Sequence, residues 1–171
     1  MCHRNLSLAT VELDREHLEI TALGGALRCS QNAKDTDKAP PPANSNPQYI
    51  PPEFFHSSDA PWDGFAGDLW ACGLMLYSMV VSTQALFAAP VSEDRLFGEL
   101  CVKGNIGEQA EKHGKDTGKD IKLSEGLIDL LRKMMKADPR DRLSLKMVTE
   151  HKWVKDGEGT VPPELTASNE K

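Results

Sequence analysis

Near the start of the chain, apolar and polar residues alternate in two short runs. The first run is Val11-Glu12-Leu13-Asp14 and the second is Leu18-Glu19-Ile20-Thr21, with the polar residues 15–17 between them. Alternation with a period of two is typical of strands that bury one face, and a short polar connection favours a hairpin. We therefore predict a small antiparallel hairpin that ends at Gly24 and Gly25.

Helical patterns dominate the rest of the chain. Residues 67–82 read GDLWACGLMLYSMVVS and are apolar on nearly all sides, which is typical of a helix buried at the centre of a domain. We predict further helices that begin near Glu53 and after the capping residues Ser92, Ser124 and Ser144. The sequence thus predicts a mostly α fold with a small β-hairpin near its N-terminus.

Hydrophilic segments interrupt and follow these elements. Residues 30–47 and 104–122 offer little to bury and are predicted to be loops, the first of them mobile. The polar residues 156–171 contain few groups that could hold them to a core. We predict one domain over residues 1–155 and a disordered tail over residues 156–171.

Composition and charge narrow the classes of function. The 171 residues carry a formal net charge of −6 with both signs interspersed, so no basic face for nucleic acid is expected. The apolar stretch 69–81 is shorter than the roughly 20 residues that span a bilayer, so no membrane partner is expected. Cys2, Cys29, Cys72 and Cys101 lack paired spacing. This pattern favours reduced thiols in an intracellular, cytoplasmic protein.

Six short motifs follow one another along the chain. They are His3-Arg4-Asn5-Leu6, Ile20-Thr21-Ala22-Leu23-Gly24, Asn46-Pro47-Gln48-Tyr49, Pro51-Pro52-Glu53, Asp68-Leu69-Trp70-Ala71-Cys72-Gly73 and Asp138-Pro139-Arg140-Asp141-Arg142. In this order they resemble the C-terminal lobe of a eukaryotic protein kinase, from its His-Arg-Asp catalytic loop to its Asp-Pro-x-x-Arg motif. The resemblance covers residues 3–154. The motif His151-Lys152-Trp153 is similar to one in calmodulin-dependent serine/threonine kinases.

The resemblance implies that the residues of phosphoryl transfer are degenerate. Asn5 stands where the family has its Asp, and an amide cannot act as a base. Ser7 and Thr10 stand where the family has a phosphate-binding Lys and a metal-binding Asn. Ala22 replaces the metal-binding Asp of Asp-Phe-Gly. Kinases use ATP and Mg²⁺, but no catalytic residue is intact here, so we expect no cofactor and no metal.

The family's architectural residues are kept, as far as the resemblance extends. His3 and Arg4 match the start of the catalytic loop, and Asp68 matches the residue that binds the backbone of that loop. Glu53 and Arg142 match an ion pair below the activation segment, although each could also be a separate surface charge.

Arg4 has two interpretations. It is either a structural arginine that binds loop carbonyls or a receptor for a phosphate on the activation loop, with Ser30, Thr36 and Ser45 as candidate phosphorylation sites.

Three functions are compatible with this pattern. The first is a pseudokinase scaffold or binding module for a protein partner, an active kinase being one candidate, with residues 87–90 and the following helix as the contact. The second is a fragment of a serine/threonine kinase that binds ATP and phosphorylates proteins. The third is a decaying product that folds poorly. Because the chain begins two residues before His3, we expect an incomplete kinase domain without its N-terminal lobe.

Overall fold

A computed structural model describes residues 1–14, 17–28, 42–56, 63–83 and 86–157. The strands and helices are β1 Val11–Asp14, β2 His17–Ile20, α1 Glu53–His56, α2 Gly64–Val81, α3 Arg95–Phe97, α4 Ile106–Thr117, α5 Glu125–Met134, α6 Leu145–Glu150 and α7 Lys152–Lys155. A π-helical turn, Gly98–Val102, continues α3. The predicted fold class, mostly helical with one small hairpin, is confirmed.

The predicted antiparallel hairpin is confirmed, although its second strand covers residues 17–20 and not the predicted 18–21. β1 and β2 pair antiparallel, with Val11 opposite Ile20 and Leu13 opposite Leu18. Opposite residues in an antiparallel pair share a face of the sheet. One face is therefore apolar, although Leu13 and Leu18 at its outer end remain 71% and 69% exposed.

The apolar segment forms the central helix α2, as predicted. The side chain of Asp63 caps it by accepting hydrogen bonds from the backbone N–H groups of Phe65 and Ala66. Ser82 ends it in the left-handed conformation, with φ of 55°. By length and composition α2 could cross a bilayer, but 67% of its apolar window is buried inside the fold. It is the core helix of this domain.

Helix α5 packs closely against α2 at Gly73. A Cβ atom on Gly73 would lie 2.9 Å from Cγ of Met135 and 3.1 Å from Cβ of Met134. Trp70, Leu74 and Leu131, on the same two helices, are fully buried. The absence of a side chain at Gly73 is thus what lets the two helices approach each other.

Two predictions about the second half of the chain are wrong. Residues 104–122 are not a loop throughout, because they contain α4. Only Ile106, Ala110 and Gly114 of this helix are buried, so its apolar stripe is too thin to stand out in the sequence. In addition, Asp94 rather than Ser92 caps α3, by accepting hydrogen bonds from the N–H groups of Leu96 and Phe97.

The cysteines differ from the prediction at one position. Cys72 and Cys101 are free thiols, and burial raises the pKa of Cys72 to about 11 and that of Cys101 still further. Cys2 is disulfide-bonded. The prediction of four reduced thiols is therefore wrong for Cys2.

Some predictions fall outside the described residues. These include the candidate phosphorylation sites Ser30 and Thr36, most of the predicted mobile loop, and nearly all of the predicted tail. The prediction of a domain that ends at residue 155 also stays a prediction, although α7 ends at Lys155.

Gly73→Ala tests the close packing of α2 on α5. We expect the free energy of unfolding to fall by about 1–3 kcal/mol, because the added methyl group overpacks the interface. The matched control is Gly98→Ala, since no atom lies within 4 Å of the position of its added Cβ. Urea denaturation measures both variants. Equal urea midpoints for the two variants would show that the close packing at Gly73 does not contribute to stability.

Candidate functional site

The loop of residues 3–10, here called the N-terminal loop, is held on α2 by Asp68. The Asp68 carboxylate accepts hydrogen bonds from the backbone N–H of His3, at 2.6 Å, and of Arg4, at 2.8 Å. Burial raises the pKa of Asp68, and the two backbone hydrogen bonds and the nearby His3 and Arg4 only partly oppose this effect. This half-buried carboxylate thus fixes the backbone of the loop at His3 and Arg4.

Arg4 has the strained conformation that this anchoring supports. Its φ of 69° lies in the left-handed region, which residues other than glycine rarely adopt. Nη1 of Arg4 donates to the carbonyl of Gly25 at 3.1 Å. This bond is what the structural interpretation of Arg4 predicts, while its role as a phosphate receptor stays a prediction.

His3 connects the N-terminal loop to the residues after β2. Its Nε2 lies 2.8 Å from the carbonyl oxygen of Thr21, and its Nδ1 accepts from the N–H of Asn5 at 3.2 Å. A ring that accepts at Nδ1 carries its proton at Nε2, so the neutral imidazole donates to Thr21. The ring therefore holds the backbone next to Ala22, which itself adopts φ of 60°.

Thr10 closes the N-terminal loop on itself. Its hydroxyl accepts from the N–H of Ser7 at 2.9 Å and lies 3.1 Å from the carbonyl oxygens of both Asn5 and Ser7, either of which can accept its proton. Both Thr10 and Ser7 are buried. The Thr10 oxygen is thus engaged in the loop backbone, and Ser7 carries no cation that could meet a phosphate.

The half-buried Asn5 lines a small cavity. The cavity has a volume of about 20 Å³, and its lining includes Asn5, Asn46, Tyr49 and Asp68. This is room for about one water molecule. The structure brings Asn5, Arg4 and Asp68 together around this small cavity. Within the described ranges, no group of three or more His, Cys, Asp or Glu side chains could hold a metal ion.

Glu53 and Arg142 form a buried ion pair and are not separate surface charges. The two guanidinium nitrogens reach the two carboxylate oxygens at 2.9 and 2.5 Å. Their side chains are 9% and 0% exposed. Arg142 also donates to the carbonyls of Lys136 and Ala66 and lies 5.1 Å from the Trp70 ring centroid. Together with the carbonyl of Ala137, these acceptors bind all five N–H groups of the guanidinium.

Two residues of the loop expected to contact a partner, Phe87 and Pro90, are buried, whereas Ala88 is exposed. Phe87 packs against Trp70 and Phe97 with ring centroids 6.4 and 5.8 Å away, and Pro90 is fully buried. The amide oxygen of Gln48 accepts from the N–H of Leu86 at 3.3 Å, which ties the loop to the Asn46–Tyr49 motif. The side chains of Phe87 and Pro90 are therefore not available to a partner.

Ser45, the candidate phosphorylation site within the described residues, has a buried hydroxyl oxygen without a hydrogen-bond partner. Its phosphorylation stays a prediction, and it would require this oxygen to move to the surface.

His151 has a structural role that the sequence analysis missed. Its Nδ1 accepts from the N–H of Trp153 and caps α7, while Nε2 lies 3.0 Å from an oxygen of Asp129 on α5. Lys133 reaches the same oxygen at 2.6 Å. The spacing of His151 and Trp153 is that of a residue that caps a helix start, which is the signal that could have revealed this role.

Comparison with known proteins identifies the family to which this chain belongs. The protein kinase domain family matches residues 1–154. The chain is 31% identical to calcium-dependent protein kinase 14 of Oryza sativa over 67% of its length and 20% of that protein. It is 28% identical to the serine/threonine-protein kinase GRIK2 of Arabidopsis thaliana over 88% of its length and 35% of that protein. The chain therefore belongs to the protein kinase family.

A third relative shows the same partial coverage. The fatty acyl-CoA synthetase and RNA processing-associated kinase 1 of Saccharomyces cerevisiae is 27% identical over 91% of the chain, which corresponds to 17% of the yeast protein. The chain thus spans about a fifth to a third of the length of these relatives.

Glu53→Gln tests the buried ion pair. We expect the free energy of unfolding to fall by about 3–5 kcal/mol, because Arg142 would keep a buried charge without its counter-charge. Asp138→Asn is the control, since it removes an exposed pair with Arg140, and pairs of this kind contribute little. Urea denaturation compares the two. A similarly small fall in the free energy of unfolding for both variants would show that the Glu53–Arg142 pair does not stabilise the fold.

Asp129→Asn tests the contact between α5 and His151. The hydrogen bond from Lys133, assisted by that from His151, lowers the pKa of Asp129 below its ordinary 3.8, against the effect of burial. A lowered folded-state pKa stabilises the protein above the unfolded pKa, and this contribution is lost as the pH falls through the folded value. We expect the variant to be less stable than the wild type near pH 6.

The stability difference between wild type and Asp129→Asn should then shrink as the pH falls below about 4. Urea midpoints at fixed pH values measure it, with Asp156→Asn, which alters an exposed residue, as the control. A stability difference that does not change with pH would show that the charge of Asp129 does not stabilise the folded protein.

Proposed function

We propose that this protein kinase-like domain does not transfer phosphate and acts as a pseudokinase, as a scaffold or binding module for a protein partner. The observation that carries the proposal is the contrast between two sets of residues. The buried contacts of Asp68 and of Glu53 with Arg142 keep the scaffold of the family. At Asn5 and Ala22, however, no carboxylate remains to act as a base or to bind Mg²⁺.

The geometry of the N-terminal loop supports the same proposal. The Thr10 hydroxyl is engaged by the backbone of Ser7 and Asn5. A metal ligand must direct a lone pair at the ion, and a hard cation such as Mg²⁺ needs several oxygens in near-octahedral geometry. An engaged hydroxyl and a methyl group offer poor ligands for this purpose, so neither ATP nor Mg²⁺ is expected to bind productively.

The apolar face of the hairpin supports binding to a protein. Leu13 and Leu18 lie opposite each other and are about 70% exposed, and Ile20 on the same face is 52% exposed. Contiguous exposed apolar side chains are typical of protein interaction sites. An active kinase is one candidate partner. The cytoplasm stays the proposed location, although a disulfide such as that of Cys2 is rare there.

A second candidate function is favoured by the relatives. GRIK2 is named a serine/threonine-protein kinase, and the chain covers 35% of it. The chain could therefore act as one segment of a serine/threonine kinase that binds ATP and phosphorylates proteins, with the missing residues supplied by a longer chain. Against this function stand the substitutions at Asn5, Thr10 and Ala22, which additional residues would not restore.

A phosphotransfer assay on the full-length cellular protein separates the two functions. Intact mass spectrometry of the immunoprecipitated protein first defines its length, and the same form is then made pure. We expect no transfer from Mg²⁺-ATP to a generic serine/threonine substrate, because the base and the metal ligands are missing. A catalytically intact kinase in the same assay is the positive control.

The triple variant Asn5→Asp, Thr10→Asn, Ala22→Asp is compared in the same assay. Activity in the triple variant alone would show that these positions account for the loss of catalysis. Mg²⁺-dependent transfer by the wild-type protein would overturn the proposal and support the second function.

A further inference from the structure

A second cavity lies far along the chain from the N-terminal loop, between the end of α2, the start of α3 and α4. Its volume is about 170 Å³, and Val81, Leu86 and Leu96 form its apolar wall. A cavity of about 150 Å³ with an apolar lining is large enough to bind benzene. The space therefore suits a short apolar group.

Tyr77 places an unpartnered hydrogen-bond donor at this cavity. The residue lines the cavity and is only 2% exposed. Within the described part of the chain its phenol makes no hydrogen bond. Burial, and then the neighbouring Cys101, raise the pKa of Tyr77, so the phenol keeps its proton. A ligand in the cavity that presents an acceptor can therefore take a hydrogen bond from this phenol.

One face of α4 supplies the polar rim. Gln109, Lys112, His113 and Asp116 recur at the spacing of a single helix face, and all four line the cavity. Lys112 and Asp116 are four residues apart, as are the ion-paired Lys133 and Asp129. Among the described residues, however, no ion pair joins Lys112 to Asp116.

The charge of Lys112 is therefore available to a ligand. Lys112, the phenol of Tyr77 and the ring of His113 can donate at this cavity, whereas Asp116 is its single carboxylate. A ligand with a negative charge and an apolar body complements this set of groups.

We propose that this cavity binds a short apolar carboxylate. The apolar body of the ligand packs against Val81, Leu86 and Leu96. Its carboxylate pairs with Lys112 and accepts a hydrogen bond from Tyr77. The site is independent of the proposed loss of phosphoryl transfer, because it shares no residue with the N-terminal loop. It makes the domain a binder of a small molecule in addition to a protein.

Three ligands of the same shape test the proposal by NMR titration of the ¹⁵N-labelled full chain. They are 4-methylpentanoate, its amide and 4-methylpentylamine. We expect saturable shifts of α4 amides by the carboxylate with a Kd in about the millimolar range. The amide should bind about tenfold more weakly, because it lacks the charge that pairs with Lys112.

Matched variants test which side chains of the cavity bind the ligand. Lys112→Met should remove the preference for the carboxylate over the amide, and Tyr77→Phe should weaken carboxylate binding about tenfold while the fold is kept. Lys115→Met is the control, since Lys115 is exposed on α4 and does not line the cavity. Tighter binding of the amine, an unchanged preference in Lys112→Met, or no saturation by about 20 mM would each overturn the proposal.

Discussion

The buried guanidinium of Arg142 is the contact on which the lower part of the fold depends. It pairs with Glu53 at the start of α1, binds the carbonyls of Ala66 and Ala137, and lies over the ring of Trp70 in the central helix. A charge of this kind is tolerated in a protein interior only when it is fully paired. The segments around it are consequently fixed in one arrangement, because any displacement would leave the charge without a partner.

Asp68 extends the same constraint to the N-terminal loop. Its carboxylate takes its hydrogen bonds from the backbone N–H groups of His3 and Arg4, so this anchor does not depend on the side chain at position 5. The left-handed backbone of Arg4 is kept for this reason. The scaffold and the chemistry of the family are thus physically separable, and substitutions at Asn5 and Ala22 leave the anchoring contacts in place.

The elements with strong periodic signals could be predicted from the sequence. The alternation of residues 11–20 and the continuous apolar run of α2 each define one structure because burial imposes their pattern. The helix α4 was missed because its buried side consists of Ile106, Ala110 and Gly114, which add little apolar character to a polar segment. The partners of Arg142 were found only through the family resemblance, since Glu53 lies 89 residues away.

The hydroxyl of Thr10 links the folding of the loop to the residue type at this position. A residue that makes no hydrogen bonds of its own can be replaced by the family's residue with little loss of stability. Thr10, however, now satisfies the N–H of Ser7 and the carbonyl of Asn5. Any other side chain at this position must replace both bonds or leave buried polar groups unsatisfied. A substitution made at Thr10 to restore a metal ligand therefore also changes the backbone hydrogen bonds that shape the loop.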